Sequence, residues 1–144
     1  MIELGHSAFG SIFAARHSFM RVAVKVLKVS ESDVPALRRE VALHASLAHE
    51  HIVRVYGLSE SLGDNPRYGI VMARMDRSLA SVLRDAAAAP NALIVLPFHW
   101  RMRALHEMTA GLAHLHGHRV VHGNFKCVSC IMGCVYRFIS MDES

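Results

Sequence analysis

The stretch Val120-Val-His-Gly-Asn-Phe-Lys-Cys-Val-Ser-Cys-Ile-Met132 decides how the rest of the chain is interpreted. A β-branched pair leads into a polar loop that holds His122, Asn124 and Lys126, and a second apolar pair follows. Apolar runs of this kind predict short strands, and loops held between strands commonly carry functional side chains. The pattern predicts that this loop presents residues for chemistry and that the preceding sequence builds a site for it.

Length and charge set the broad class of the protein. With 144 residues, of which 52% are hydrophobic, the chain is predicted to form one modest domain, because a chain of this size buries about 68–70% of its unfolded surface. The net charge of +4 is spread over the whole length. A nucleic-acid binder should instead show a dense basic stripe with interleaved aromatic residues, so no nucleic-acid partner is expected.

The sequence predicts neither an N-terminal targeting segment nor a segment that inserts into a membrane. Residues 1–10 lack a basic segment followed by an apolar one, and the apolar stretch 86–98 is interrupted by Pro90, Asn91 and Pro97. No signal peptide, membrane span or membrane partner is therefore expected. The chain has three cysteines, an odd number, which favours a reduced, cytoplasmic protein.

The same cysteines raise the question of a metal site. Cys127, Cys130 and Cys134 include a Cys-x-x-Cys spacing, and His114, His116, His118 and His122 lie just upstream. Such residues could bind zinc, but their spacing matches no common zinc finger. The prediction is therefore structural thiols and no metal ligands, with a zinc site as the alternative.

The first segment predicts a glycine-flanked turn. Residues 2–4 and 11–15 predict two short strands, joined by Gly5-His-Ser-Ala-Phe-Gly10. Glycines at both ends let the backbone approach a phosphate with its N–H groups directed at the anion. An ordinary hairpin has the same pattern, so this loop alone does not distinguish the two.

The segment Arg21-Val-Ala-Val-Lys-Val-Leu-Lys28 predicts a strand with one charged side chain on an apolar face. Alternation puts Ala23, Lys25 and Leu27 on the same side. Burying a Lys there without an anion is costly, and Ala23 is small enough for a flat ring to lie beside it. The pattern predicts that Lys25 reaches the phosphates of a ligand. The alternative is an edge strand whose Lys reaches solvent.

Residues 35–48 predict a helix that carries a carboxylate within its apolar stripe. The stripe consists of Leu37, Val41, His44, Leu47 and Ala48. Glu40 lies within it and favours a cationic partner, for which Lys25 is the candidate. The alternative places Glu40 at the edge of the stripe, solvated beside Arg38 and Arg39.

Spacing and turn signals predict the remaining elements. Residues 52–59 and 68–72 are predicted as strands separated by a turn at 63–66. Residues 78–88 and 98–116 have apolar side chains every three or four positions and are predicted as helices.

Taken in order, these segments resemble the motifs of the protein kinase family. The matching segments are Gly5 to Gly10, Val22-Ala-Val-Lys25, Glu40, His49-Glu-His-Ile-Val53, Gly69-Ile-Val-Met-Ala-Arg-Met75 and His122 to Met132. One match could be chance, but the ordered series is specific. Lys126, two residues after the catalytic position, resembles the serine/threonine or tyrosine-kinase-like groups.

The resemblance implies an α+β fold of two lobes. Residues 1–75 would form the kinase small lobe and hinge, a five-stranded antiparallel sheet with one main helix. Residues 76–132 would begin an incomplete helical large lobe, and 133–144 would be a divergent tail. The tail contains no Asp-Phe-Gly or Ala-Pro-Glu triplet, so a truncation after the catalytic loop is expected.

The resemblance also implies a site for ATP. The nucleotide-binding positions would be Leu4, Gly5, Ser7, Gly10, Ile12, Ala23, Lys25, Met72, Ala73 and Met75. Of these, the glycine loop would cover the phosphates, and the apolar residues would enclose the adenine beside the hinge. Lys25 would hold the α- and β-phosphates while paired with Glu40.

The implied catalytic residues are Lys25, Glu40, Asn124 and Lys126, and the loop departs from the family at two positions. Asn124 stands where kinases have the catalytic Asp, and it cannot accept a proton from a hydroxyl. The loss of a general base costs about 10² to 10⁴ in rate. Cys130 stands where kinases have the Asn that binds magnesium, although magnesium prefers oxygen ligands.

The function implied is therefore transfer of the ATP γ-phosphate to Ser/Thr or Tyr hydroxyls of a protein, impaired in this chain. ATP and magnesium would be the cofactors, with the magnesium site incomplete. The alternatives are a catalytically inactive, pseudokinase-type module that binds a protein partner, and a fragment from an incorrect gene model.

Overall fold

The computed structural model describes residues 2–7, 10–61, 67–89, 96–125, 130–131 and 134–135. The chain divides into two compact units, one from residues 1–48 and 54–74 and the other from 49–53 and 75–140. Buried apolar side chains occur in both, such as Leu37 and Ile70 in the first unit and Leu115 and Val120 in the second. The functional boundaries at 1–75, 76–132 and 133–144 stay predictions.

The first unit is built on a five-stranded antiparallel sheet, which confirms the predicted α+β class. Its strands are β1 (Ile2–Ser7), β2 (Gly10–His17), β3 (Met20–Leu27), β4 (Val55–Glu60) and β5 (Tyr68–Ala73). The strand order is β1-β2-β3-β5-β4, so β3 lies inside the sheet between β2 and β5. Valine, isoleucine and tyrosine are common in these strands because branched and aromatic side chains pack well on a pleated surface.

The first hairpin is longer than predicted. Its pairing continues to Ser7 opposite Gly10, so Gly5 and Ser7 belong to β1 rather than to a six-residue loop. The register shifts between Glu3 and Gly5, which marks a bulge. The predicted strand bounds, 2–4 and 11–15, were too short here, because backbone pairing continues through Gly5 and Ser7 despite the weak strand preference of glycine.

Helix α1 (Val34–Ser46) packs against β4 in the first unit. It ends two residues earlier than predicted, and Leu37, Val41 and His44 are its buried residues. Leu47 is also buried, but Ala48 is exposed. Ala48 lies beyond the helix and so does not continue the predicted stripe.

The second unit contains the helices α2 (Leu79–Ala88) and α3 (Phe98–Gly117) and the two-stranded sheet of β6 (Cys130–Ile131) and β7 (Cys134–Val135). Helix α2 begins at Ser78, whose hydroxyl accepts a hydrogen bond from the Ser81 amide at 3.2 Å. The strand predicted at Val120 does not form. Instead, the Val120 amide bonds to the Leu115 carbonyl at 2.9 Å as the chain leaves α3. No described helix has the length and apolar content needed to cross a bilayer.

Candidate nucleotide and catalytic site

The strand register places four of the predicted nucleotide-binding residues on one face of the sheet. In an antiparallel sheet, opposed residues share a face, as do residues two apart on one strand. One row across the sheet contains Ile12, Lys25, Ile70 and Leu58, and the next contains Ala14, Ala23, Met72 and Val55. Ile12, Ala23, Lys25 and Met72 therefore lie together, with Ala23 as the small residue between larger ones.

Lys25 is the charged group of this face, and its side chain is 0% exposed. Desolvation by burial lowers its pKa from 10.5 to about 8. At pH 7 the ammonium still holds its proton, because the pKa lies about one unit above that pH. The edge-strand alternative is wrong, since β3 is an inner strand and Lys25 does not reach solvent. A buried cation beside apolar side chains suits a ligand that combines an anion with a flat ring.

Glu40 comes from α1 and is half-buried, with its Oε1 atom buried. The fully solvated alternative is therefore wrong for this carboxylate. Its pairing with Lys25 stays a prediction.

At the predicted nucleotide site, Gly5 and Gly10 can offer backbone atoms but no side chains. Gly5 lies opposite Ile12, and Leu4 lies at the bulge with 41% of its surface exposed. Gly10 begins β2 opposite Leu27 with φ of +144°, a conformation that L side chains rarely adopt. A Cβ atom on Gly10 would lie 1.9 Å from the Val26 carbonyl oxygen. Glycine is therefore required here by the neighbouring strand, whether or not a phosphate binds.

We expect Gly10→Ala to lower the free energy of unfolding of the first unit by at least about 2 kcal/mol, because the new Cβ must displace a backbone carbonyl. Gly5→Ala is the matched control, since a Cβ at Gly5 meets no atom within 4 Å. Urea denaturation of both variants measures the difference. Equal stability of the two variants would contradict the steric explanation.

The predicted hinge begins as a strand and continues into the second unit. Ala73 is the last residue of β5, and its amide donates a hydrogen bond of 2.8 Å to the Arg54 carbonyl. This amide is consequently not available as a donor to an adenine. Met72 is 3% exposed, and Met75 belongs to the second unit and is half-buried.

In the second unit, the loop that holds Asn124 is organised around His122. The His122 side chain is buried, and its Nδ1 atom accepts a hydrogen bond of 3.3 Å from the Asn124 amide. The Phe125 ring meets the His122 ring edge-on, with 5.3 Å between centroids. Gly123 has φ of +73°, which permits the turn between them. His122 thus fixes the backbone that carries Asn124, while Lys126 lies outside the described residues.

The described residues do not fit the magnesium ion that kinases use. Cys130 is buried on β6, and a thiol is a poor ligand for a cation that prefers oxygen. Asn124 offers one amide oxygen, and it is half-buried. Within the described part of the chain, no group of three or more His, Cys, Asp or Glu side chains could hold a metal ion. The zinc alternative stays a prediction, because its Cys127 lies outside the described residues.

A histidine cluster, defined here as His49, His51, His114 and His118, was not predicted from the sequence. Ring centroids lie 5.5 Å apart for His49 and His51, 4.6 Å for His49 and His114, and 4.3 Å for His114 and His118. His114 lies in the last turn of α3, and His118 is the first residue after the helix. Their contact with His49, more than sixty positions away, depends on tertiary packing.

The pKa of His114 is lowered by desolvation and then by its neighbours His118 and His49. Because the folded-state pKa lies below the ordinary value, the unfolded chain takes up this proton first as the pH falls below about 6.5. We therefore expect the second unit to lose stability between pH 7 and pH 5, and His114→Gln to weaken that dependence.

Denaturation at both pH values measures this effect, with His106→Gln as control on the exposed side of α3. If both variants keep the parent's pH dependence, then His114 does not carry the effect.

Comparison with protein families places this geometry in a known context. The family model described as "Protein tyrosine and serine/threonine kinase" matches residues 1–137. The chain is 29% identical over 135 residues to "Salt tolerance receptor-like cytoplasmic kinase 1" of Oryza sativa subsp. japonica, covering 90% of this chain and 36% of that protein.

Two animal proteins show similar levels of identity. "Mitogen-activated protein kinase kinase kinase 6" of Homo sapiens is 30% identical over 133 residues, covering 87% of this chain and 10% of that protein. "High affinity nerve growth factor receptor" of Mus musculus is 29% identical over 150 residues, covering 91% of this chain and 18% of that protein. The chain thus spans at most about a third of the length of these three relatives.

Proposed function

Because the chain belongs to the family of protein tyrosine and serine/threonine kinases, we propose that its first unit binds ATP on the face of the sheet that carries Lys25. The burial of the Lys25 ammonium beside Ala23 and Met72 is the observation that carries this proposal. Lys25 holds the phosphates, and Glu40 pairs with Lys25 and keeps it in place.

The other nucleotide contacts follow from the same face and from its first hairpin. Ile12, Ala23 and Met72 supply apolar surface for the adenine, with Leu4 at its edge. The backbone of Gly5, Ser7 and Gly10 covers the phosphates. Since the Ala73 amide is used by Arg54, the backbone bond from the end of β5 to the adenine comes from the Ala73 carbonyl.

Transfer of the γ-phosphate to Ser/Thr or Tyr hydroxyls of a protein is the family's reaction, and we propose that it is weak here. Asn124 can donate and accept hydrogen bonds and so can orient a hydroxyl, but it does not act as the base for the hydroxyl proton. Lys126 would then contact the transferred phosphate. Magnesium enters no step, because Asn124 and Cys130 do not fit it.

The competing function is a protein-binding module without catalysis, of the pseudokinase type, and the Asn at position 124 favours it. Both functions suit a cytoplasmic protein with a protein substrate or partner and with no nucleic-acid or membrane partner. They differ in a measurable way, since only the enzyme incorporates phosphate.

The pH dependence of ATP affinity tests the proposed site. Bound phosphate favours the charged form of Lys25, so above its pKa of about 8 the chain must take up a proton to bind. We expect the dissociation constant of ATP to be constant between pH 6.5 and 7.5 and to rise by about tenfold per pH unit above about pH 8.5. Calorimetric titration at pH 7 and pH 9.5 measures it.

The exposed Lys28 provides the matched control. Lys28→Met should keep both the affinity and its pH dependence, whereas Lys25→Met should lose binding at every pH. An affinity that does not change between pH 7 and pH 9.5 would contradict a role for the Lys25 ammonium.

A further inference from the structure

Three side chains of the first unit join α1 to two strands of the sheet. The Arg38 guanidinium forms an ion pair with Oε2 of Glu60 on β4. The Tyr68 hydroxyl on β5 donates to Oε1 of the same carboxylate at 3.3 Å. Glu60 and Tyr68 are direct cross-strand neighbours, and Tyr68 is 6% exposed. Both oxygens of Glu60 are thereby engaged, and the carboxylate is held in place for the arginine.

Arg38 and Glu40 lie on opposite sides of α1. Because successive residues of a helix are 100° apart, the side chains of Arg38 and Glu40, two positions apart, point about 160° away from each other. The buried stripe of Leu37, Val41 and His44 runs between them, so Arg38 and Glu40 lie on opposite flanks of the helix. Arg38 is on the flank that meets β4, which leaves Glu40 on the flank toward the inner strands.

The row of Lys25 lies close to the row that anchors Arg38. Glu60 and Tyr68 share a row with Leu27, and Leu27 is two residues after Lys25 on β3. The two rows are therefore about 7 Å apart along the strands. A rotation of α1 that releases Arg38 from Glu60 necessarily moves Glu40 relative to Lys25.

We propose that Arg38 is a positioning residue, which by its ion pair with Glu60 fixes the rotation of α1 about its axis and so holds Glu40 toward Lys25. This inference rests on the proposed role of Lys25 and Glu40 in nucleotide binding. Tyr68 supports it by restricting the Glu60 carboxylate. Arg38 itself touches neither the nucleotide nor Lys25.

The expected effect is modest because the ion pair is partly hydrated. The side chains of Arg38 and Glu60 are 55% and 35% exposed, and exposed pairs of this kind are weak. Arg38→Gln and Glu60→Gln should each raise the dissociation constant of ATP by about two- to fivefold. The double variant should be no worse than either single one, and exchanging the charges in Arg38→Glu/Glu60→Arg should recover most of the affinity.

Arg39→Gln is the matched control, because Arg39 is an exposed arginine one position further along the same helix. A purely structural role would change the unfolding midpoint without changing the titration of Lys25. The decisive measurement is therefore the pKa of Lys25 without nucleotide, followed by NMR in lysine labelled with ¹³C at Cε. The chain has only three lysines, at positions 25, 28 and 126.

We expect the pKa of Lys25 to fall in Arg38→Gln and Glu60→Gln, because the Glu40 carboxylate moves away, and to stay unchanged in Arg39→Gln. Equal Lys25 pKa values in Arg38→Gln and Arg39→Gln overturn the inference. If the parent chain shows no Lys25-dependent ATP binding, then the proposed function fails, and the NMR titration alone still decides whether Arg38 positions Glu40.

Discussion

Replacing Lys25 by Met is expected to abolish ATP binding and to remove a rise in the free energy of unfolding that the parent chain shows between about pH 8 and pH 10.5. Both effects come from the buried ammonium, which is proposed to bind the phosphates and which is costly to desolvate. Lys25 is fully buried, and desolvation lowers its pKa from 10.5 to about 8. Between those two pH values the unfolded chain holds a proton that the folded chain lacks, so stability rises with pH across this window.

Below pH 8 Lys25 is charged in both the folded and the unfolded chain, so the free-energy cost of burying the charge has its full value and does not change with pH. The lowered pKa of Lys25 corresponds to about 3 kcal/mol. Lys25→Met removes that cost, since methionine is apolar and of similar length. It also leaves the half-buried Glu40 without the cation that we propose pairs with it. At pH 7 these two effects oppose each other. We therefore expect the parent chain to gain about 3 kcal/mol of stability between pH 8 and pH 10.5, and Lys25→Met to lack that gain.

Urea denaturation at pH 7 and in the accessible range above pH 8 measures the difference, and a thermal melt with and without ATP measures binding. Lys28→Met, which alters an exposed lysine, should change neither quantity. A parent melt that ATP raises, beside a Lys25→Met melt that ATP leaves unmoved, supports the site. If the parent chain and Lys25→Met show the same dependence of stability on pH, then Lys25 does not carry a lowered pKa in the folded chain.

Replacing Asn124 by Asp is expected to raise the rate of phosphate transfer to a protein substrate by about 10² to 10⁴ over the parent chain. The substitution replaces the side-chain amide by a carboxylate and so restores a base for the hydroxyl proton. The backbone of this residue is already held by the His122 Nδ1 atom at 3.3 Å. The new carboxylate should therefore occupy the place of the amide without rebuilding the loop.

Incorporation of radiolabelled γ-phosphate into casein measures this rate. Asn124→Ala serves as the loop control and should stay at the parent level or below it. The double variant Asn124→Asp/Lys25→Met should lose the gained activity, which excludes a contaminating kinase. If Asn124→Asp matches the double variant, then the missing base is not the main defect, and the protein-binding alternative gains support.

Much of the first unit was predictable because its signals are local. Alternation in β3 placed Ala23 and Lys25 on one face, and the register of β2 and β5 brings Ile12 and Met72 to the same face. Five antiparallel strands and one main helix were likewise expected from the family resemblance and are observed. Apolar periodicity and family motifs both describe residues that are close in the sequence, and the strands and the helix that they predict are observed here.

The features that were missed depend on contacts between distant segments. The sequence predicts Gly10 at the end of a loop, either beside a phosphate or in an ordinary hairpin, whereas a Cβ atom on Gly10 would meet the Val26 carbonyl on the next strand. The contact of His49 with His114 and the pairing of Arg38 with Glu60 join residues far apart in the sequence. A single sequence carries no signal for such pairs, because neither partner alone departs from ordinary helix or loop composition.

Each of the two units is built from more than one segment of the chain. Residues 49–53 belong to the second unit, although the residues before and after them belong to the first. A cut at one peptide bond therefore cannot separate the units cleanly. An excised segment of residues 1–75 would carry His49 without the helix whose His114 ring it meets at 4.6 Å. A minimal nucleotide-binding fragment would need those five residues redesigned with polar side chains, and not simply a stop codon at the hinge.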